Sequence, residues 1–513
     1  MLTVGSFFKQ NASKFREKPA VIFHNQTLAY EELNTRTNQL ANAFTKRGFQ
    51  KGDKVAVLMK NHSSYIEIIG ALAKIGVILV PINYRLLSKD LEYILNHSEC
   101  RAVITTGEYE SIIHNVIPLT PALDTLLVVD GQADYPFYQY EAFLQSGSSE
   151  EPQVHIDETD PFYFGYTSGT TGKPKAVVIS HRSRVLTGIV AAYEYKIDES
   201  DIHIVAGPIY HAAPWIFLLM QLFVGGTIVI QESFDAEEFL QLTEKYKVTN
   251  TFMAPTMFNF ILNLPSETKS SYNHKTMRVL ISAGAPLPTQ TKNEILEYFN
   301  GTDLHEFYGS TESAITLNIK PKDIKEKDAC VGQPFPLVEC LLLDEQKNPV
   351  AIGEVGELYI KAPYLLDGYY QNEEANQQSF YGEFFTVGDM ARQDEDGYYY
   401  IVDRKKDMLI SGGVNIYPRE IEEFLYTHAG ILEVAVIGIP DPVWGESVKA
   451  IVVPKEGVSL TEEEILSYCQ GRLASYKKPK SVDFVSALPR NPSGKILKTE
   501  LRAPYWQSQG KRV

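Results

Sequence analysis

The segment from Tyr166 to Lys175, with the sequence YTSGTTGKPK, is rich in residues that could bind an anion. Glycines let the backbone approach a phosphate closely, hydroxyls and backbone N–H groups donate hydrogen bonds, and lysines supply positive charge. It differs from a Walker A loop, in which four residues separate the glycines and Ser or Thr follows the lysine. Here two residues separate Gly169 from Gly172, and Pro174 follows Lys173. The segment therefore predicts a phosphate-binding loop of another kind, although a solvated turn between strands has a similar composition.

Six further segments combine glycine, hydroxyl and charged residues in order along the chain. They are Ser282-Ala-Gly-Ala-Pro286, Tyr308-Gly-Ser-Thr-Glu312, Val387-Gly-Asp389, Tyr400-Ile-Val-Asp-Arg-Lys-Lys-Asp407, Ser411-Gly-Gly413 with Tyr417-Pro-Arg-Glu-Ile421, and Pro489-Arg-Asn-Pro-Ser-Gly-Lys495. Taken singly, each has an ordinary explanation, because surface turns, exposed charge runs and tail lysines are common. Their shared order with the phosphate-binding loop makes the combination specific.

Over nearly the whole chain, these motifs resemble the adenylate-forming superfamily of acyl-CoA synthetases, aryl-CoA ligases, firefly luciferase and the adenylation domains of peptide synthetases. The segments 407–418 and 490–498 look most like bacterial medium- and long-chain fatty acyl-CoA synthetases. The resemblance implies that a small carboxylic acid and ATP form an acyl-AMP and pyrophosphate, after which the CoA thiol displaces AMP. It thus implies ATP, Mg²⁺ and CoA as ligands.

The same resemblance assigns roles around the nucleotide. Glu312 is the expected magnesium ligand, because an isolated carboxylate together with phosphate oxygens suits a hard cation. Thr311 is expected to contact the α-phosphate, and Tyr308 to stack on adenine. The phosphate-binding loop contributes Thr167, Ser168, Gly169, Thr170, Thr171, Gly172, Lys173 and Lys175, and the backbone beside adenine comes from Gly284, Ala285, Pro286 and Gly309.

The same resemblance assigns roles to three residues of the motifs at 387–389 and 400–407. Asp389 is the expected ribose ligand, since a carboxylate can accept hydrogen bonds from both ribose hydroxyls. Arg404 would brace the ribose and the phosphate. Lys406 occupies the hinge position about which the small domain rotates between an adenylating and a thioester-forming arrangement, and hinges are typically a few residues at the ends of elements.

Lys495 resembles the superfamily's catalytic lysine, which bridges the acyl carboxylate and α-phosphate oxygens during adenylation only. After the rotation, Gly412 and Gly413 would approach the pantetheine arm of CoA, where a side chain would block the tunnel. Both assignments rest on the resemblance.

An apolar acyl pocket is expected around Pro208–His211 and the run Trp215–Met220. No acidic residue occurs in 207–226, so nothing there could pair with a substrate ammonium group, and amino-acid activation is disfavoured. His211 resembles the superfamily's gate residue near the carboxylate, although a histidine beside aromatic residues is often simply packed. An alkyl chain and an aryl ring both fit an apolar slot.

Three positions depart from the usual pattern: Ala176 and Ala283 replace glycines, and Val387 replaces a threonine beside the nucleotide. The expected enzyme is a ligase that joins an apolar, fatty carboxylate to CoA. It is expected to belong to fatty acid metabolism and to work by domain alternation. The open alternatives are an aryl-CoA ligase, an acyl-AMP ligase that loads a carrier protein, a catalytically silent binding protein and a luciferase-like oxidative enzyme.

The elements that must position these residues follow an α/β rhythm. Strand-like runs at Lys54–Met59, Val77–Ile82 and Arg101–Thr106 alternate with helical periodicity at Tyr65–Ile75 and Lys89–Asn96. The rhythm recurs over residues 227–307, which predicts several parallel sheets. Toward the end of the chain the prediction is a compact α+β unit with helices at Pro418–Leu425 and Thr461–Leu473 and strands at Val434–Gly438 and Val448–Val453.

With the resemblance, this pattern predicts a large multi-sheet N-terminal domain of the adenylate-forming fold, residues 1–403, and a small mobile α+β C-terminal domain, residues 404–513, that carries Lys495. A turn-rich, charged segment at 394–407 separates them. The length of 513 residues agrees with more than one domain.

Composition excludes several classes of protein. Acidic residues outnumber basic ones by 64 to 48, and the net charge of −16 argues against a broad surface for nucleic acid. The N-terminus lacks a signal-peptide pattern, and no apolar run is long enough for an integral membrane segment. Four cysteines without paired spacing favour a reducing, cytoplasmic location. A homodimer is an open alternative for the assembly.

Overall fold

The computed structural model describes residues 2–131, 136–167, 173–490 and 496–506. The chain divides into two compact units: the first comprises Met1–Cys340 and Ile360–Phe385, and the second comprises Leu341–Tyr359 and Thr386–Val513. Among the described residues, no helix combines the length and apolarity needed to cross a membrane.

Helices occur throughout the described chain. They are α1 (Val4–Lys14), α2 (Tyr30–Lys46), α3 (Ser63–Ile75), α4 (Ser88–Ser98), α5 (Glu110–Val116), α6 (Tyr140–Gln145), α7 (His181–Tyr195), α8 (Ala212–Val224), α9 (Ala236–Tyr246), α10 (Pro255–Leu262), α11 (Ser266–Ser271), α12 (Thr289–Tyr298), α13 (Glu373–Ser379), α14 (Pro418–Leu425), α15 (Glu462–Tyr468) and α16 (Lys498–Trp506). Two short 3₁₀ turns cover Gly107–Tyr109 and Ile117–Leu119.

Strands alternate with these helices. They are β1 (Pro19–Phe23), β2 (Gln26–Ala29), β3 (Lys54–Leu58), β4 (Ile78–Pro81), β5 (Cys100–Thr105), β6 (Thr125–Val128), β7 (Tyr138–Gln139), β8 (Pro161–Thr167), β9 (Lys175–Ser180), β10 (Ile202–Val205), β11 (Thr227–Ile230), β12 (Asn250–Met253), β13 (Val279–Ser282), β14 (Asp303–Tyr308), β15 (Leu317–Ile319), β16 (Gln333–Pro334), β17 (Glu339–Leu343), β18 (Val355–Lys361), β19 (Gly368–Tyr369), β20 (Phe380–Tyr381), β21 (Phe384–Phe385), β22 (Asp389–Gln393), β23 (Tyr399–Arg404), β24 (Leu409–Ser411), β25 (Val414–Ile416), β26 (Ile431–Asp441), β27 (Gly445–Pro454) and β28 (Ser481–Phe484).

The first unit is built on two large sheets. In the nine-stranded sheet, with the order β16-β15-β14-β13-β12-β10-β11-β1-β2, the six strands from β14 to β1 run parallel. Strands β11, β12 and β13 are buried along their whole length, as expected where a parallel sheet is covered on both faces. The eight-stranded sheet has the order β19-β9-β8-β4-β3-β5-β6-β7 and contains the antiparallel hairpin β8–β9.

The second unit has its own sheets and core. Strands β18, β22 and β23 form an antiparallel ladder, and β25-β24-β27-β26 form a sheet to which β28 adds beside β27. The core of this sheet includes Ile421 and Leu425 from α14 and Ile465 from α15. These apolar faces explain why short, highly charged helices fold here.

The α/β fold expected from the sequence rhythm is confirmed. Several predicted boundaries were wrong. Strands β26 and β27 extend beyond the predicted Val434–Gly438 and Val448–Val453 at both ends. Helix α15 ends at Tyr468 rather than at Leu473. The chain leaves the helix after Cys469, and Gly471 adopts a φ of +70° that does not continue a right-handed helix.

Candidate active site

Three predicted segments of the first unit follow the carboxyl ends of parallel strands in the nine-stranded sheet. Pro208–His211 comes after β10, Gly284–Pro286 after β13, and the loop from Tyr308 to Glu312 begins at the end of β14. Because β10, β12, β13 and β14 run parallel, these segments emerge at one edge of the sheet, where open α/β sheets bind ligands.

Hydroxyl groups hold the loop after β14. The Oγ atoms of Ser310 and Ser313 are 3.0 Å apart, and Thr316 Oγ1 donates a hydrogen bond to Ser313 Oγ at 2.9 Å. The Thr316 N–H also donates to the Tyr308 carbonyl at 2.9 Å. These bonds fix the backbone of the two predicted site residues between the serines, Thr311 and Glu312.

Thr311 lies against strand β8. A Cβ atom added to Gly165 would approach Thr311 Cγ2 to 2.7 Å, so glycine is required for this close contact. Arg184 on α7, only 1% exposed, donates through Nη2 to Tyr163 Oη at 2.5 Å and to the Thr311 carbonyl at 3.4 Å. Sequence reasoning missed Arg184, because an arginine within a helix carries no motif.

Glu312 is buried, with 8% of its surface exposed, and Tyr369 donates a hydrogen bond to its Oε1 at 3.1 Å. The Lys175 ammonium lies over the Tyr369 ring, 4.9 Å from its centroid. Burial and the neighbouring Glu312 carboxylate raise the pKa of Tyr369, which keeps its hydroxyl protonated. A lysine of the predicted phosphate-binding loop and the predicted magnesium ligand therefore share one aromatic residue.

Glu312 fits Mg²⁺ as a single protein carboxylate. Within the described ranges, no group of three or more acidic, histidine or cysteine side chains is arranged to hold a metal. A single carboxylate suits a cation that takes its remaining oxygen ligands from nucleotide phosphates and water.

The structure places the ends of the predicted phosphate-binding loop. Thr167 on β8 pairs with Lys175 on β9 in the hairpin register. The Lys173 ammonium lies 5.4 Å from the ring centroid of Tyr93, whose hydroxyl donates to the Pro174 carbonyl. The intervening candidates Ser168, Gly169, Thr170, Thr171 and Gly172 lie outside the described residues.

The turn that contains Gly284, Ala285 and Pro286 rests on a buried ion pair. Glu306 Oε1 accepts a hydrogen bond from the Leu287 N–H at 3.0 Å, and Glu306 Oε2 lies 2.7 Å from Lys292 Nζ. Both charged side chains are at most 6% exposed. Sequence reasoning assigned neither of them.

The two predicted acyl segments are the turn Pro208–His211, which precedes α8, and the run Trp215–Met220 within that helix. His211 is the N-cap residue of the helix, and its ring packs on Tyr210 at 4.3 Å. The run Trp215–Met220 is buried, and Phe217 stacks on Phe252 in the core.

Asn61 holds the turn that leads to His211. Its side-chain amide donates to the carbonyls of Gly207 and Gln231 at 2.9 and 3.0 Å, and its Oδ1 accepts from the Ile209 N–H at 2.7 Å. Asn61 is 3% exposed and lies some 150 residues before this turn, so sequence spacing gave no signal for it.

In the second unit, Asp389 and Arg404 are cross-strand neighbours on β22 and β23. Arg404 Nε lies 3.5 Å from Asp389 Oδ1. Thr386, which precedes the departure at Val387, donates to Glu357 at 3.1 Å and accepts from the Gly388 N–H at 2.9 Å. Its hydroxyl therefore fixes the turn before Asp389.

The predicted hinge residue Lys406 lies next to the last described helix. Arg502 on α16 donates to the Lys406 carbonyl at 3.2 Å and pairs with the Asp407 carboxylate at 2.9 Å. Burial, and then the nearby Arg404, lower the pKa of Lys406. The predicted catalytic lysine, Lys495, lies outside the described residues.

Gly412 and Gly413 form the two-residue turn of the hairpin β24–β25, in which Ser411 pairs with Val414. Their φ angles are +59° and +81°, so both residues adopt the left-handed conformation that a tight type I′ hairpin requires. A Cβ atom on Gly412 would also lie 2.7 Å from the ring of Trp444. The hairpin alone therefore accounts for the glycine pair.

A groove of about 580 Å³ opens elsewhere on the first unit, and none of the predicted site residues that the structure describes lines it. Arg36 within it pairs with Glu67 and Glu141 at 2.8 and 2.5 Å. With its guanidinium paired to two carboxylates, this groove is poorly suited to a nucleotide anion.

The parallel sheet edge, the buried carboxylate and the lysines over aromatic rings are features that suit a nucleotide-binding α/β enzyme. Residues 8–370 match the family model of the AMP-binding enzyme, and residues 420–495 match that of the AMP-binding enzyme C-terminal domain. The chain belongs to the AMP-binding enzyme family. Its members are AMP-forming acid–thiol ligases, and this protein is an ATP-binding acyl- or aryl-CoA ligase with the adenylate-forming fold.

Similar proteins cover nearly all of the chain. A feruloyl-CoA synthase of Amycolatopsis sp is 34% identical over 98% of this chain and 99% of its own. The long-chain-fatty-acid–CoA ligase FadD13 of Mycobacterium tuberculosis is 33% identical over 93% of both chains. The crystal structure of ATP-bound MatB from Rhodopseudomonas palustris has a TM-score of 0.87 and 28% identity, and covers 98% of this chain and 99% of its own.

Proposed function

We propose that the protein activates an apolar, fatty carboxylic acid and transfers it to CoA. In the first step the substrate carboxylate attacks the α-phosphorus of ATP, which yields acyl-AMP and pyrophosphate. In the second step the CoA sulfur attacks the acyl carbon, the bond to AMP breaks, the thiol loses its proton, and acyl-CoA and AMP leave. The observation that carries the proposal is the shared contact of Glu312 and Lys175 with Tyr369.

The adenylation step requires positively charged groups near the nucleotide, because negative charge moves at the α-phosphate. We assign Lys173, Lys175 and Thr311 to the phosphates, and Tyr308 with the turn at 284–286 to adenine. Arg184 supports this assignment by holding the Thr311 backbone from inside the unit.

Glu312 is the proposed magnesium ligand. Mg²⁺ would offset the negative charge of the triphosphate when it is bound. Glu312 is suited to hold it because Tyr369 occupies only one of the lone pairs on the carboxylate.

In the second unit we assign Asp389 and Arg404 to the ribose, and their cross-strand pairing supports a joint role. Lys495 is the proposed catalytic group for adenylation, and Lys406 the proposed hinge between domains 1–403 and 404–513. Gly412 and Gly413 are assigned to the path of the CoA thiol.

An apolar acid is favoured over a zwitterionic one. Residues 207–226 contain no carboxylate, and the side chains of α8 from Pro214 to Phe223 are buried, nearly all of them apolar. The second candidate substrate is an aryl acid, which the 34% identity to feruloyl-CoA synthase favours. His211, at the start of α8, is assigned to the entrance of this pocket.

The cellular location is proposed from the thiols. Cys100 and Cys469 are buried, and within the described residues their thiols form no disulfide. Free thiols agree with a reducing compartment, and we infer the cytoplasm.

The test is mass spectrometry of the products formed with MgATP, CoA and a panel of fatty, aryl and amino acids. We expect acyl-CoA and AMP from several fatty acids. Product from hydroxycinnamic acids alone would replace the fatty substrate by an aryl one. Acyl-AMP without acyl-CoA would contradict CoA as the acceptor and indicate a carrier protein.

A further inference from the structure

Tyr369 lies outside every motif singled out in the sequence, yet it contacts two of the proposed site residues. Its hydroxyl donates to Glu312 Oε1 at 3.1 Å, and Lys175 Nζ lies 4.9 Å from its ring centroid. Only 6% of the residue is exposed. The next residue, Tyr370, differs sharply, because its hydroxyl donates to the exposed carboxylate of Glu99.

The backbone at Tyr369 is fixed from two sides. On one side β19 pairs with β9, and Tyr369 is opposite Val177, two residues from Lys175. On the other side the Asn376 side chain accepts from the Tyr369 N–H at 2.7 Å and donates to its carbonyl at 3.1 Å. The ring therefore has little freedom to move away from the site.

The backbone of Glu312 is tied to the same segment. The Leu366 N–H donates to the Glu312 carbonyl at 2.8 Å, three residues before Tyr369. Glu312 is thus held at its backbone carbonyl and at one carboxylate oxygen. Among the described residues Tyr369 is the hydrogen-bond donor to this carboxylate, which leaves other lone pairs for a hard cation.

We propose that Tyr369 is a positioning residue for the adenylation step. Its hydroxyl orients the Glu312 carboxylate toward the metal–nucleotide complex, and its ring holds the Lys175 ammonium for the phosphates. This inference rests on the proposed function, since it takes Glu312 as the magnesium ligand and Lys175 as a phosphate-binding residue.

The decisive variant is Tyr369→Phe, which removes the hydroxyl and keeps the ring beneath Lys175. The measurement is the dissociation constant of ATP by titration calorimetry, once with excess Mg²⁺ and once with EDTA. We expect the gain in affinity that Mg²⁺ provides to fall about tenfold, because a hydrogen bond to a charged group is lost. Affinity in EDTA should stay within about twofold of the wild type, since the contact with Lys175 remains.

Two further variants separate positioning from packing. Tyr369→Leu removes the ring as well, so ATP should also bind more weakly in EDTA. Tyr370→Phe is the matched control and should leave both constants unchanged. A purely structural role would lower the melting temperature of the Tyr369 variants but would leave the effect of Mg²⁺ intact.

A double-mutant cycle with Glu312→Gln tests the contact itself. If Tyr369 acts through Glu312, adding Tyr369→Phe to Glu312→Gln should cause no further loss of the Mg²⁺ effect. The proposal would be overturned if the two substitutions reduced the Mg²⁺-dependent gain in ATP affinity additively, or if Tyr369→Phe left that gain unchanged. It would also be overturned if Mg²⁺ had no effect on ATP binding by the wild type. These measurements are binding constants and do not require turnover. If no acid yielded acyl-CoA, the proposed function would be contradicted, but the role of Tyr369 in ATP binding could still be confirmed.

Discussion

At the scale of single residues, Lys495 has the sharpest expected phenotype. Lys495→Ala should abolish formation of acyl-AMP, because no other positive charge is assigned to bridge the acyl carboxylate and the α-phosphate. Conversion of supplied acyl-AMP and CoA to acyl-CoA should remain within about threefold of the wild type, since that step makes no use of a group specific to adenylation. Pyrophosphate exchange measures the first step, and release of AMP from purified acyl-AMP measures the second.

Lys455→Ala provides the control, because Lys455 is an exposed lysine of the same unit. It should change neither step. Equal losses in both steps for Lys495→Ala would show that this lysine supports folding or both chemical steps, and would contradict its assignment to adenylation.

Asn61 gives a second prediction about the acyl side of the site. Asn61→Ala leaves the Ile209 N–H and the carbonyls of Gly207 and Gln231 without their buried partner. The free energy of unfolding should fall by about 2–4 kcal/mol, as expected for the loss of several buried hydrogen bonds. The KM for the acid should rise more than the KM for ATP, since the turn leads to His211. Denaturant titration and steady-state kinetics check both effects, and an equal rise in the two KM values would contradict a local role.

The site residues that the sequence could supply were those in ordered motifs. Tyr369, Arg184 and Asn61 contact the motif residues from distant parts of the chain, 57, 127 and 148 residues away from their partners. Such contacts depend on how strands and helices are brought together in the folded chain, and a single sequence has no local signal for them.

At the scale of elements, periodicity predicted the type of element better than its ends. The helix at Pro418–Leu425 was predicted with the bounds that the structure shows, because Pro418 is well suited to the first turn of a helix. The helix from Thr461 was predicted to end five residues beyond its actual end, since apolar spacing continues past Tyr468. Strand β19 has only two residues, too few for any alternation to reveal it, although it carries Tyr369.

The glycine hairpin at 412–413 gives a prediction that separates folding from function. Gly413→Ala places a side chain at a φ of +81°, with no atom of the described residues within 4 Å of the new Cβ. The cost should be about 1 kcal/mol of backbone strain. If the CoA thiol passes this turn, the rate of thioester formation should fall by more than tenfold, while pyrophosphate exchange stays near that of the wild type.

Gly457→Ala is the matched control for this strain. Gly457 has a φ of +75° and equally open surroundings, but it lies in the loop before α15. The two variants should have similar melting temperatures, and only Gly413→Ala should slow the thioester step. Similar rates for both variants would contradict the assignment of the turn to CoA.

At the scale of the whole molecule, the predicted boundary before residue 404 implies that the C-terminal domain folds independently. The core cluster around α14, α15 and the sheet β25-β24-β27-β26 lies wholly within residues 409–482. A fragment of residues 404–513 should therefore fold cooperatively by itself, which thermal unfolding followed by circular dichroism would measure. A fragment without a cooperative transition would contradict a domain that begins at 404.

The exact start of this fragment should matter because of Asp403. Its carboxylate accepts hydrogen bonds from the Arg404 N–H at 2.7 Å and from the Arg419 N–H at 2.8 Å, in the first turn of α14. Loss of a carboxylate at a helix N-terminus costs about 1 kcal/mol, which corresponds to a fall of about 4 °C in the melting temperature of a domain this small. A fragment of residues 398–513 should therefore melt above the 404–513 fragment, and Asp403→Ala should remove the difference. If the two fragments melt together, the Asp403 contacts do not stabilise α14, and a boundary at 404 leaves the small domain intact.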